Sequence, residues 1–405
     1  MDQHAVAERV RTFYDRHPYP PPVEDLDGYR RRWDDQPRRR ADYHLSWPAR
    51  PYRDDLSILI AGCGTSQAAK HALRWPNARV TAIDVSETSV RCTEALKQKY
   101  ELSNLEVRQL PIERVAELGE SFDQIVCTGV LHHLPEPLAG LTALRAVLAA
   151  GGAMHLMVYA PYGRTGIYMI QDLCRRIGIR AIDQELPDLV AALGVLPAGH
   201  PLTGLLREAP DFRNAAAMAD ALLHPQDRAY SVPELFDFLR SGGLAFVRWL
   251  RLAPYSPRCG IMSRLPQRAR LVQLAPEEQH AAAELFRGTM VCHSLIARRD
   301  DDARAPRPVS FAGQEWLDYV PLRQPDTISV KQRLPPGASA VLINRSHTDT
   351  DLFLPIDGAE ERLVGGIDGA RTIGEIARSE GLLDRAAPFF ERLYEYDQIV
   401  FDASA

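Results

Sequence analysis

The chain has 405 residues, of which 45% are hydrophobic and 25% charged, and it carries a formal charge of −5. That length exceeds one ordinary domain and predicts two or three. The negative balance argues against a nucleic-acid partner, since phosphate binding needs a basic face.

The six cysteines (Cys63, Cys92, Cys127, Cys174, Cys259 and Cys292) lie far apart and form neither a CxxC nor a finger-like set with histidine. No metal is expected, and free thiols suit a reducing cytosol. The opening "MDQHAVAERVRTFYDRHPYP" lacks the apolar centre of a signal peptide. No run approaches the ~18 apolar residues needed to cross a bilayer. The expected location is cytoplasmic, with no membrane partner.

Val6 to Asp15 is predicted as a short helix, with Val6, Val10, Phe13 and Tyr14 near helical spacing. "HPYPPP" ends it, because proline removes a donor and keeps the preceding residue out of the α region. This segment, with Tyr14, His17 and Tyr19, is either a lid over a ligand site or a rigid linker or polyproline ligand. The Arg-rich stretch Tyr29 to Tyr43 has acidic residues mixed in, which reads as a solvated or pocket-rim segment.

From residue 56 the pattern sharpens. "LSILIA" is wholly apolar, as in a buried parallel strand, and stops at Gly62-Cys63-Gly64 before a helical stretch. "RVTAIDVS" is a second strand with Asp84 at its carboxyl tip, and Ser86 caps the next helix. "LEVRQL", "FDQIVCTGVL" and "GGAMHLMVYA" are further strands, separated by "IERV" and "PLAGLTALRAVLA". Strands alternating with helices predict an α/β fold with a doubly wound parallel sheet.

Ligands of such sheets bind beyond the carboxyl ends of the strands. Gly62 and Gly64 let backbone approach a ligand, and Asp84, twenty positions after Gly64, suits ribose hydroxyls. The third glycine of a dinucleotide fingerprint is missing, as is any phosphate loop, so the ligand should be nucleoside-like without a pyrophosphate. "LHHLPEP" then puts His132 and His133 after the fourth strand, where a metal site, a catalytic base and a plain loop are the alternatives. Cys63 and Cys127 read as small buried fillers.

"ILIAGCGTSQ", "VTAIDVS" and "FDQIVCTGVLHHLPEPLAGLTALRAVLAAGGAMHLMV" resemble the successive motifs of class I S-adenosylmethionine-dependent methyltransferases, closest to the group with "VLHHL" after strand four. Downstream, "DRAYSVPELFDFLRSGGLAFVRWLR" resembles the family's last helix and sixth strand, and "HSLIARR" its antiparallel seventh. The resemblance implies a Rossmann-like, seven-stranded sheet over 53–300, with helical inserts at about 160–225 and 256–290. It also implies S-adenosylmethionine as cofactor, leaving S-adenosylhomocysteine as product. By this likeness Gly62, Cys63 and Gly64 would face the methionine part, Asp84 the ribose and Val85 the adenine. Thr128 and Gly129 would lie near the sulfonium. The family's acidic position after strand three is Pro111 here, leaving Glu113 or the backbone at Ile112 for the adenine.

Methyl transfer is an in-line displacement, and a base helps only an acceptor that must lose a proton. The absence of an [NDS]-P-P-[YF] tetrapeptide disfavours amide and nucleobase acceptors. A small molecule offering a hydroxyl, carboxylate, amine or carbon is expected. The catalytic candidates are His132, His133 and Tyr159, with Tyr14, His17 and Tyr19 as lid and Tyr162 and Arg164 at the pocket mouth. The histidine pair serves chiefly as a marker of the fold, because family members with different acceptors share it.

Residues 1–52 are expected to form the lid segment. A charged, proline-bearing linker near Arg304 should precede a C-terminal domain over 305–405. From about 350 this domain resembles a small winged-helix module, with Thr372 capping one helix and "DRAAPFFERLYEYD" forming the second. Asp384, Glu391, Glu395 and Asp397 make DNA reading improbable. Peptide docking or a homodimer contact is left, beside a structural cap. Two alternative functions follow: a peptide or protein methyltransferase docked by this module, and a non-catalytic sensor or scaffold that binds the nucleoside.

Overall fold

The computed structural model describes residues 3–179, 185–208, 215–302 and 308–404. The chain divides into two compact units. One comprises Met1–Arg30, Asp55–Ala245 and Arg287–Asp301, the other Arg31–Asp54, Phe246–Phe286 and Asp302–Ala405. The linker expected at Arg304 lies outside the described residues.

The first unit is built on strands β1 (Ser57–Ala61), β2 (Arg79–Asp84), β3 (Leu105–Gln109), β4 (Phe122–Thr128) and β5 (Leu148–Tyr159). With β6 (Leu244–Trp249), which leaves the unit after Ala245, and β7 (Cys292–Arg299) they form one seven-stranded sheet. Its order is β3-β2-β1-β4-β5-β7-β6. β1 to β5 pair in parallel, and β7 runs antiparallel to β5. This is the seven-stranded α/β arrangement read from the sequence. Ile58, Leu59, Ile60 and Ala61 are all fully buried, which explains why β1 is an unbroken apolar run rather than an alternating one. The strand order reverses between β1 and β4, so their carboxyl ends open the crevice where ligands of such sheets bind.

Between β5 and β6 the described residues include the helices Thr165–Ile177, Leu186–Gly194, Leu202–Glu208 and Ala215–Leu223. These helices share a small core of their own, with Ile167, Ile170, Leu189, Leu202 and Met218 buried together. That core holds Ala215–Leu223 at a fixed height beside the sheet, which matters for the site.

The second unit carries two small antiparallel sheets. β8 (Val320–Arg323) pairs with β12 (Ile399–Asp402), while β9 (Thr327–Val330), β10 (Ala340–Asn344) and β11 (Phe353–Ile356) form the other. The helix Ile373–Glu380 begins at Thr372, whose side chain accepts from the Glu375 N–H while the Glu375 carboxylate accepts from the Thr372 N–H. The helix Leu383–Glu395 buries Ala386, Phe389, Phe390 and Leu393 against the unit's core.

Two of its acidic residues, Glu391 and Glu395, are engaged locally. Arg258 pairs with Glu391 at 3.2 Å and with Glu395 at 3.1 Å. Asp397 falls beyond the helix, contrary to its expected place on the acidic face. It is buried at φ +54° and accepts from the backbone N–H groups of Leu252 and Ala253, both at 2.9 Å. The Arg-rich stretch contributes the helix Gln36–Ser46, capped by Asp35, and Arg40 pairs with Asp402 at 2.7 Å. Among the described residues no helix is long and apolar enough to cross a membrane.

Phe390 is fully buried in the second unit's core. Phe390→Ala is expected to lower that unit's stability by about 3–5 kcal/mol in chemical denaturation, through lost transfer energy and the cavity left behind. A change below about 1 kcal/mol would contradict this packing.

Candidate functional site

The first unit holds a cavity of about 210 Å³ at the carboxyl ends of its strands. One end is formed by the first two strand–helix turns. Gly62 sits at φ +74°, and an added Cβ would lie 2.3 Å from Val130 Cγ2. Gly64, at φ +53°, approaches Pro20 and the Tyr19 carbonyl. Both positions need glycine for backbone conformation as well as for space.

Asp84 ties these turns together. Its Oδ2 accepts the Gly64 N–H and its Oδ1 the Ser86 N–H, each at 2.9 Å. Burial raises this carboxyl above its ordinary range, although the Ser86 and Gly64 hydrogen bonds pull the other way. Each oxygen keeps a second lone-pair direction, enough for one further donor apiece. Val85, Leu110 and Ile112 continue the wall from here. Thr128 and Gly129 line it from the end of β4, where Gln67 Nε2 donates to Thr128 Oγ1 at 2.6 Å.

The helix Gln3–Arg16 and the "HPYP" segment after it supply the outer wall through Val10, Tyr14, Tyr19 and Pro20. They are fastened to the strand ends by hydrogen bonds. Ser86 Oγ donates to Asp15 at 2.8 Å, Thr88 Oγ1 to the Asp15 carbonyl at 3.1 Å, and Thr65 Oγ1 to the Pro20 carbonyl at 2.8 Å.

At the other end the insert meets the loop after β4. Tyr14, His133, Tyr159 and Asp220 all line the cavity here. The hydroxyl of Tyr14 donates to Asp220 Oδ1 at 3.0 Å and that of Tyr159 lies 3.3 Å from Oδ2. Burial pushes both phenols well above their ordinary range, so neither serves as a base near neutrality. Burial also raises the Asp220 carboxyl.

A single residue, Gln226, orients two histidines. Its carbonyl lies 2.7 Å from His133 Nδ1, and its N–H donates to His224 Nδ1 at 3.1 Å. A carbonyl accepts only, so His133 carries its proton on Nδ1, and the neutral ring presents a lone pair at Nε2. His224 has the opposite tautomer, with its proton on Nε2.

Of the residues singled out in the sequence, Gly62, Gly64, Asp84, Val85, Ile112, Thr128 and Gly129 share this cavity with His133, Tyr159, Tyr14 and Tyr19. Others stand outside its wall. Cys63 is buried beside Thr93, Pro111 flanks the turn, and Glu113 is exposed on the 3-10 helix Ile112–Leu118. His132 is fully buried, with its ring 3.9 Å from Tyr159, and burial holds it well below the ordinary histidine range. His17 is buried against Phe13, whereas Tyr162 is exposed.

Arg164 lies within the protein rather than at a mouth. Its guanidinium stacks 3.5 Å from the Tyr159 ring centroid and pairs with buried Asp227 at 3.3 Å. Asp220, Gln226 and His224 were missed by sequence reasoning. They belong to an insert whose apolar pattern announces helices and says nothing of which strand end they approach.

His133, Asp220 and His224 each bring a ligand-type atom within 4.8 Å of the others. A cation held there by His224 Nε2 would need that nitrogen's lone pair, yet the Gln226 N–H at Nδ1 leaves the proton on Nε2. The donor set as hydrogen-bonded therefore does not suit a metal ion.

Residues 59–154 match the family model of a methyltransferase domain. An uncharacterised protein of Synechococcus sp. is 33% identical over 255 residues, covering 60% of this chain and 60% of that protein. The malonyl-[acyl-carrier protein] O-methyltransferase of Acetivibrio thermocellus is 29% identical over 133 residues, 33% of this chain and 45% of that enzyme. The chain thus spans 60% or less of these relatives' length. PKMT2 from Rickettsia typhi, solved in complex with AdoHcy, has a like fold, with a TM-score of 0.65 at 13% identity over 95% of this chain and 77% of that one. Sheet order and matched segment together give the first unit the fold of a methyltransferase domain.

Two outcomes are expected from this geometry. Asp84→Ala should destabilise the first unit by about 1–3 kcal/mol even without ligand, since two buried N–H groups lose their acceptor; urea unfolding measures it. The second outcome concerns His132, which stays neutral in the fold but takes up a proton near pH 6.5 once unfolded. Its contribution to stability is therefore lost as pH falls below about 6.5. His132→Phe should reduce the slope of stability against pH there by about 1.4 kcal/mol per unit. An unchanged slope would contradict the buried neutral ring.

Proposed function

We propose that this chain transfers the methyl group of S-adenosylmethionine to a small-molecule acceptor. One observation carries the reading: a single cavity joins the Gly62–Gly64–Asp84 turn to the His133–Asp220 cluster. Its volume is about 210 Å³, below the ~300–1,000 Å³ of a typical ligand pocket.

Gly62 and Gly64 would cradle the methionine part, Asp84 would accept from the ribose hydroxyls, and Val85, Leu110 and Ile112 would enclose the adenine. S-adenosylmethionine supplies a methyl carbon activated by positive sulfur. The protein's share is alignment and exclusion of water. Tyr14, Tyr19 and Pro20 would act as the lid, and His133 Nε2 as the base that takes the acceptor's proton.

Calorimetry should detect S-adenosylhomocysteine binding. Gly62→Ala should abolish it, because the added carbon meets Val130 in a backbone conformation alanine resists. Absence of binding by the wild type would sink the proposal. Incubation of a lysate with methyl-labelled donor should put label into the small-molecule filtrate. Label confined to macromolecules would instead favour a peptide or protein acceptor docked through the C-terminal unit.

A further inference from the structure

The acceptor end of the cavity has a peculiarity that follows from where each proton points. Tyr14 and Tyr159 each own one hydroxyl hydrogen, and both hydrogens are directed at Asp220. What the two phenols can still offer is lone pairs. Asp220, as a carboxylate, offers only lone pairs as well. The Nδ1–H of His133 is committed to the Gln226 carbonyl, and its Nε2 has no hydrogen-bond partner among the described residues. These four cavity-lining groups thus converge as acceptors, while the Nε2–H of His224 lies outside the lining.

Charge points the same way. The Asp220 and Asp227 side chains are buried, and among the described residues the guanidinium beside them, that of Arg164, is itself buried and paired with Asp227. Among the described residues Asp220 therefore has no ion-pair partner, and a cation arriving beside it would offset the burial that raises its carboxyl.

From this we infer that the methyl acceptor is an aliphatic amine that enters as its ammonium ion. An ammonium brings three donors and a positive charge to a wall made of acceptors. A hydroxyl brings one donor and no charge, and a carboxylate would meet Asp220 with repulsion. The inference rests on the methyltransferase reading and narrows its acceptor.

The chemistry balances. His133 Nε2 takes one proton from the ammonium, which frees a lone pair on nitrogen. That pair forms the N–CH₃ bond while the C–S bond of the donor breaks, and the electrons of that bond stay on sulfur. The products are S-adenosylhomocysteine and an N-methylammonium, with the transferred proton lost from His133 to solvent. Asp220 holds the nitrogen in line and remains a carboxylate throughout.

The test uses the full-length protein loaded with S-adenosylhomocysteine. Butylammonium, butanol and butyrate are titrated separately and followed by ligand-observed NMR. Butylammonium should bind at least tenfold more tightly than the other two, and Asp220→Asn should erase that preference. Wild-type selectivity alone decides the matter if the variant fails to fold. Butanol or butyrate binding as well as butylammonium, or no binding of butylammonium to the loaded protein, overturns the inference. Failure to load S-adenosylhomocysteine counts against the methyltransferase proposal instead.

Discussion

Everything at the carboxyl edge of the sheet depends on the two hydrogen bonds that Asp84 accepts, from the Gly64 and Ser86 N–H groups. They join the turn after β1 to the turn after β2. The Gly62 and Cys63 N–H groups of the glycine turn add two backbone ties to the second strand, donating to the Ile83 carbonyl at 2.9 and 3.0 Å. A charge-assisted bond to a backbone N–H contributes roughly 1.5–3 kcal/mol, against a raised carboxyl that resists ionisation in its buried place. The balance is tolerable because each carboxylate oxygen is already half satisfied. A ligand's hydroxyls would complete it, so the same residue serves folding and recognition.

The opposite end obeys a different constraint, imposed by one backbone unit. Gln226 directs its carbonyl to His133 and its N–H to His224, which sets the tautomers of both rings. His132 lies behind, stacked on Tyr159 and well below the ordinary histidine range. Two adjacent histidines therefore play unlike parts. One is a buried filler whose protonation burial disfavours, the other a cavity-lining ring whose Nε2 lone pair has no partner among the described residues. The helical insert makes this division possible, since its own core holds the Asp220 helix beside the end of β5.

Much of the sheet was legible because its signals are local. An apolar run means a strand buried on both faces, GCG means backbone that must come close, and an aspartate at a strand tip means a carboxylate at the crevice. The acceptor end was less legible because its signals are tertiary. Asp220 is one polar residue in "AAAMADALL", and only the approach of that helix to the end of β5 reveals its use. The sequence put Arg164 at the pocket mouth, yet its stacking on Tyr159 and pairing with Asp227 bury it. Asp397 looked like part of an acidic helix face, but the chain leaves the helix at Glu395 and turns the side chain inward to cap two N–H groups. Periodicity registers the turn of a helix; it carries no information on where the following residue goes.

The account turns on which nitrogen of each ring bears the proton. Long-range proton–nitrogen correlation spectra of the histidine-labelled protein, assigned with His133→Gln and His224→Gln, read this directly. At pH values where the rings are neutral, His133 should show the Nδ1–H tautomer and His224 the Nε2–H tautomer. A His133 ring protonated on Nε2 would place a donor in the cavity wall and contradict both its role as a base and the acceptor-only character of that end.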